Sequence, residues 1–155
     1  MLVAAAAAAA VAALGWAARQ DAGFEGAWTL NRARTVLEYP RLADLDSATA
    51  SITRVDGGYR LFRRFVVRGV PDTLSWTLTP GGPEVTRGGG ERWTAARLNL
   101  SGDSLVFTAR MVAPQGEAAD TVWYWLGDGS RVLQGHERFR GPRFTYDNLW
   151  VLDRR

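Results

Sequence analysis

Residues 24–31 read Phe24-Glu25-Gly26-Ala27-Trp28-Thr29-Leu30-Asn31. The spacing of two decides their conformation. Phe24, Gly26, Trp28 and Leu30 fall on one face of an extended chain, and Glu25, Ala27, Thr29 and Asn31 on the other. A strand with an apolar face carrying a tryptophan is therefore expected to open the folded part of the chain.

Upstream of it, residues 2–18 carry no charge and are mostly Ala, with Leu2, Val3, Val11, Leu14 and Trp16 as the larger apolar members. Small residues follow at 15–18, so the segment reads as a secretory signal cleaved before the folded domain of residues 24–155. An uncleaved membrane anchor is the rival reading, weakened by the poor insertion of Ala. With the signal removed, no stable membrane span is expected, and an exported protein, periplasmic or secreted, is expected.

Downstream, residues 32–47 lose the period of two and read as a long connection capping one end of the fold, as packing or as a lid. From residue 48 onward strands alternate with turn signals. Residues 48–56 lead into Gly57-Gly58, which suits a tight hairpin. In 59–68 the even positions hold Arg60, Arg64 and Arg68, while the odd ones hold Tyr59, Leu61, Phe65 and Val67. Leu74, Trp76 and Leu78 alternate with threonines and serine in 72–79. The segments 92–100, 104–113, 121–127, 130–140 and 144–153 complete the series, and Asp128-Gly129 is the strongest hairpin signal among their turns. The later turns fall near residues 102, 115, 128 and 141, at even spacing. Similar strands joined by short turns imply an up-and-down antiparallel meander.

A single layer of about eight or nine such strands has two open edges. Closing it into a barrel removes them, and the six tryptophans after the N-terminal segment are large enough to fill the interior. The expected fold is all-β, an up-and-down antiparallel barrel. A two-sheet sandwich is less suitable, because only one long connection is present.

A chain of 155 residues is one domain with a sizeable core. It has no cysteine, which excludes disulfides, thiolate metal sites and a lipid-modified N-terminal cysteine. All 19 basic residues are Arg, scattered among 16 acids with no basic run. A net charge of +3 is a weak field, and nucleic acid is excluded as a partner.

The opening stretch resembles the Gly-x-Trp-x-Leu-Asn start of small secreted bacterial lipocalin-like proteins of the calycin superfamily. The ending, Leu149-Trp150-Val151-Leu152-Asp153-Arg154-Arg155, is similar to the closing strand of the same group. The resemblance covers residues 24–155. It implies a lipocalin-like barrel in which Trp28, next to Gly26, closes the floor and an Arg from the last strand, Arg154, packs across its ring. It also implies an open end that takes a small apolar or amphiphilic molecule.

Chemistry is sparse. His136 is the only histidine, on a strand face with Gln134 and Arg138 that reads as a wet outer surface. A haem ligand is the sharper alternative, but the glycines expected after Trp28 in haem-binding relatives are absent. No nucleophile elbow or phosphate loop occurs, the acids lie mostly in turns, and Glu137 and Asp147 have no evident partner on their strands. Neither a catalytic residue, a metal site nor a cofactor is expected. Arg63 is the oddity: it shares the buried parity of Tyr59, Leu61, Phe65 and Val67. Either an internal carboxylate or the acid group of a ligand must satisfy it, or a bulge turns it outward. The expected function is non-catalytic binding of a small, mostly apolar molecule by Tyr59, Leu61, Arg63, Phe65, Trp76, Leu78, Phe107 and Met111. The alternative is a filled barrel that works through its surface, with a protein partner the sequence does not name.

Overall fold

The computed structural model describes residues 23–88, 92–113 and 115–155. The segment 2–18 lies outside them, as do Gly89, Gly90 and Glu91. The strands are β1 (Gly26–Leu30), β2 (Val36–Leu37), β3 (Leu45–Val55), β4 (Gly58–Val67), β5 (Val70–Leu78), β6 (Val85–Thr86), β7 (Trp93–Ser101), β8 (Ser104–Ala113), β9 (Gly116–Gly127), β10 (Val132–Arg140) and β11 (Thr145–Arg154). One 3-10 turn, Pro40–Leu42, is the sole helical element among the described residues. Among the described residues the expected eight or nine strands become eleven, because β2 and β6 have two residues each, too few to leave an alternation in the sequence.

All strands belong to one sheet in the order β5-β4-β3-β1-β11-β10-β9-β8-β7-β6, with β2 added beside β11. Every ladder is antiparallel, so the chain is a meander, and pairing of the first long strand with the last curls it into a barrel. Trp28 lies opposite Arg154 in that closing ladder.

Closure is nearly complete. No ladder joins β5 to β6 or β7; this seam is held by a Pro80–Leu98 bridge and by the Gly81 N–H on the Leu98 carbonyl at 2.9 Å. Arg87 reinforces the seam. Its guanidinium donates to the Ser75 carbonyl and stacks 3.8 Å from the Trp76 ring centre. An unpaired edge explains why β5 tolerates Pro71, which has no N–H to give to a ladder.

Local chemistry sets the turns. Arg68 and Gly69 both take positive φ, 50° and 75°, and form a tight turn, so β5 begins two residues earlier than the sequence implied. The β3–β4 turn is Asp56-Gly57 rather than Gly57-Gly58. Gly58 begins β4 opposite Val55, and a Cβ there would lie 2.2 Å from the Leu78 carbonyl oxygen. Asp128, Gly129 and Ser130 all have positive φ in the β9–β10 turn.

Alternation fills the barrel. Tyr59, Trp76, Leu98, Leu105, Phe107, Val122, Leu133 and Trp150 form one buried cluster with Trp28 and Phe24. Leu42, in the connection after β1, and Leu45, the first residue of β3, join it, so that the connection packs as a cap on the interior. The tryptophans do not all point inward. Trp123 and Trp125 alternate with buried Val122 and Tyr124 on β9 and lie on its outer face, where Trp123 meets His136 with ring centres 5.8 Å apart.

Candidate functional site

Two ends of the barrel differ in chemistry. The floor carries Trp28, which is fully buried, with the guanidinium carbon of Arg154 4.2 Å from its ring centre. Arg154 donates Nε to the Ser130 carbonyl at 2.8 Å, Nη1 to Glu25 at 2.6 Å and Nη2 to Gly23 at 2.7 Å. The positive charge thus ties three chain segments across the indole. Gly26 makes room for it: a Cβ at this residue would lie 2.7 Å from Arg154 Nη1.

At the other end the cap, the β4–β5 turn and the β10–β11 turn surround a mouth. Its outer groove, open to solvent on one side, spans about 620 Å³ and is lined by Glu38, Tyr39, Pro40, Arg41, Arg92, Arg143, Phe144, Thr145 and Tyr146. Tyr39 stacks on Tyr146 at 4.6 Å, and Phe144 stacks on Tyr39 at 5.3 Å, giving the groove an aromatic wall. Arg92 pairs with Asp72 at 3.2 Å, while among the described residues no salt bridge engages Arg41 or Arg143. The Glu38 carboxylate accepts the Asp147 N–H at 2.9 Å and is the one acid among the groove's lining, against three arginines. The groove is therefore cationic and aromatic together.

Below it, sharing Tyr39, Arg92 and Tyr146, a smaller cavity of about 80 Å³ reaches Arg63, Asp120 and Glu137. Arg63 points inward, its side chain 16% exposed, with Nη1 3.5 Å from Glu137 Oε1 and Nη2 3.7 Å from Asp120 Oδ2. The ladder through Arg63 is regular, opposite Ala50 and Leu74, so no bulge turns it out. Glu137 is a convergence point for donors: Asn148 Nδ2 reaches its Oε2 at 2.7 Å and Trp150 Nε1 at 2.8 Å. Burial works against the charge of Arg63, but Glu137, Tyr124 and Asp120 outweigh it and hold the guanidinium above its ordinary pKa. Burial, then the charge and hydrogen bond of Glu137, push the Asp120 carboxyl well above the usual carboxylate range against the pull of Arg63. Burial is also the main cause that lifts Tyr124 to about 12.

Of the residues expected to line a ligand, Arg63 and Phe65 border the mouth cavity. Leu61, Trp76 and Phe107 enclose a void of about 10 Å³, and Phe65 with Trp150 another of about 20 Å³. Leu78 and Tyr59 are packed in the core, the latter with its hydroxyl accepting from Arg54 Nη2 at 2.7 Å. Met111 lies opposite Trp93, near the mouth end of β8, and lines none of these spaces. His136 is on the outer surface, 3.9 Å from Asp147. Asp120 and Glu137 were missed as site residues. Their parity carried the signal, since Asp120 alternates in step with Ala118, Val122 and Tyr124, and Glu137 with Leu133, Gly135 and Phe139.

Among the described residues no three of His, Cys, Asp and Glu are placed to hold a metal ion, and no helix is long and apolar enough to cross a membrane.

No family model and no curated protein matches this sequence. Solved structures do. A secretary abundant heat soluble (SAHS) protein from Ramazzottius varieornatus superposes with a TM-score of 0.61 at 10% identity, over 86% of this chain and 96% of that one. A zebrafish ileal bile acid-binding protein, solved with cholic acid, gives 0.53 at 11%, over 86% and 99% of the two chains. A fatty acid binding protein of Schistosoma mansoni, in complex with arachidonic acid, gives 0.53 at 11%, over 86% and 97%. The chain shares with these structures an antiparallel, nearly closed β-barrel fold. At such identities the likeness extends to the path of the chain and not to its side chains.

Proposed function

We propose that this chain is an exported, non-catalytic barrel that binds a small, mostly apolar molecule bearing an acidic group, held at the mouth. The observation that carries this reading is the cationic, aromatic groove of about 620 Å³ above an interior that is already filled. Small-molecule sites commonly enclose about 300–1,000 Å³, with apolar walls and a few placed charges. The groove meets that description, whereas the inner spaces of about 80, 20 and 10 Å³ admit only the end of such a molecule. Neighbours of the same fold were solved with cholic acid and arachidonic acid, which supports an acidic amphiphile as the ligand class.

The acid is assigned to Arg41 and Arg143 rather than to Arg63. A guanidinium facing two internal carboxyls has no charge left to offer, while the mouth arginines keep theirs. No cofactor or nucleic acid takes part. Export rests on the uncharged segment of residues 2–18.

The filled interior favours a second reading, a barrel acting only through its surface. Native mass spectrometry of the protein purified from its own host separates the two. A retained molecule, seen as added mass and released by organic solvent, supports the carrier. A bare chain that takes up nothing from a host lipid extract supports the surface module and ends the carrier reading.

A further inference from the structure

We propose that the polar floor of the mouth cavity, Asp120 with Arg63 and Glu137, is a binding site for a neutral hydroxyl group. This rests on the reading above and sharpens it: the acid of the bound molecule stays at the mouth while a hydroxyl-bearing end points inward.

Two orphaned atoms carry the inference. Asp120 is 1% exposed and its Oδ1 has no hydrogen-bond partner, and Arg63 Nε is likewise buried without an acceptor. Both side chains line the same cavity of about 80 Å³. Buried polar groups are nearly always paired, so one missing donor and one missing acceptor point to a partner that supplies both. A hydroxyl does so, giving its O–H to Asp120 Oδ1 and its oxygen to Arg63 Nε–H. The space accommodates it with a few carbons of the chain that bears it.

Charge balance selects against ions. The groups facing the floor are Arg63 from β4, Asp120 and Tyr124 from β9, Glu137 from β10 and Tyr146 from β11, with Asp72 and Arg92 paired at the rim. Arg63 already faces Glu137 and Asp120, and burial disfavours the charged form of Asp120, so the floor offers no unmatched positive charge. An incoming carboxylate adds an unmatched negative charge beside Glu137. An ammonium is matched only when Asp120 gives up its proton. Both carry a cost that a hydroxyl avoids.

The reporter is the Trp150 indole N–H, which donates to Glu137. Its resonance is followed in the full chain at neutral pH while hexanol, hexylamine or hexanoate is added. A saturable shift with hexanol, and at least about ten-fold weaker responses to the two ions, is the expected result. Asp120→Leu is expected to abolish the hexanol response. No saturable shift with hexanol in the wild-type chain, which leaves only water on the floor, overturns the proposal, as does an equal response to hexanoate. In a second arm, dodecanoate is compared with its ω-hydroxy derivative, expected to bind about five-fold tighter or more. Equal affinities overturn the hydroxyl site and leave the mouth anchor standing. Failure of dodecanoate to bind, beside a clear hexanol response, removes the mouth anchor and leaves the hydroxyl site.

Discussion

Arg154 lies across Trp28, its guanidinium carbon 4.2 Å from the ring centre, and the two residues also face each other in the ladder that closes the barrel. One contact therefore joins the first long strand to the last and seals the floor. Trp28→Ala is expected to cost about 3–5 kcal/mol, the loss of a fully buried large aromatic. Arg154→Ala removes a cation stacked on the ring and three hydrogen bonds near the surface, and should cost less, about 1–2 kcal/mol. Urea denaturation of the two single variants and the double tests the coupling. The double variant should fall short of the sum. Strict additivity would mean that the stacking contributes nothing.

Gly26 is part of the same device. Its φ is +152°, and a Cβ would meet Arg154 Nη1 at 2.7 Å. Gly26→Ala should lower stability by more than about 1 kcal/mol, through backbone strain and displacement of the guanidinium. In that background Arg154→Ala should cost less than it does in the wild type. An undiminished cost would show that the alanine leaves the stack in place.

Asp120 makes stability depend on pH, and the sign follows from its raised pKa. Between the unfolded carboxyl value of about 4 and the higher folded value, the native chain holds a proton that the unfolded chain has lost. The contribution is complete below that unfolded value and is lost as pH rises through the folded one. Arg63 stays charged throughout, and Tyr124, lifted to about 12, does not ionise in this range. Asp120→Asn mimics the protonated carboxyl at every pH. Its denaturation midpoint should therefore gain on the wild type as pH rises above about 4. Curves that stay parallel would show that Asp120 titrates normally.

Export is tested at the N-terminus. Protein from its source should begin between residues 18 and 23, after removal of the uncharged segment. A mature chain beginning at Met1 in the cytoplasmic fraction contradicts it.

The strands were legible because inward and outward residues differ in kind. Tyr59, Leu61, Phe65 and Val67 against Arg60 and Arg64 fix the faces of β4, and with them the inward aim of Arg63. The partners of Arg63 were not legible. Glu137 is 74 residues away and meets it only once the sheet curls, so spacing along the chain carries no trace of the pair. The tryptophans of β9 misled for a different reason. Val122 and Tyr124 share that strand with Trp123 and Trp125, so both faces are apolar and parity alone does not choose the interior. The open seam beside β5 was also invisible, since a ladder and a row of side-chain contacts ask for similar sequences.

Dodecanoate and methyl dodecanoate, titrated calorimetrically into the full chain, separate a mouth anchor from a buried one. Exposed ion pairs are worth up to about 1 kcal/mol each, so two mouth arginines should favour the acid by about three- to thirty-fold at low salt. That preference should shrink as salt is added, because the charges are open to solvent. It should vanish in the Arg41→Ala, Arg143→Ala double variant and persist in Arg63→Met. Equal affinity for acid and ester at low salt, or a preference lost in Arg63→Met and kept in the mouth variant, would contradict binding of an acid at the mouth.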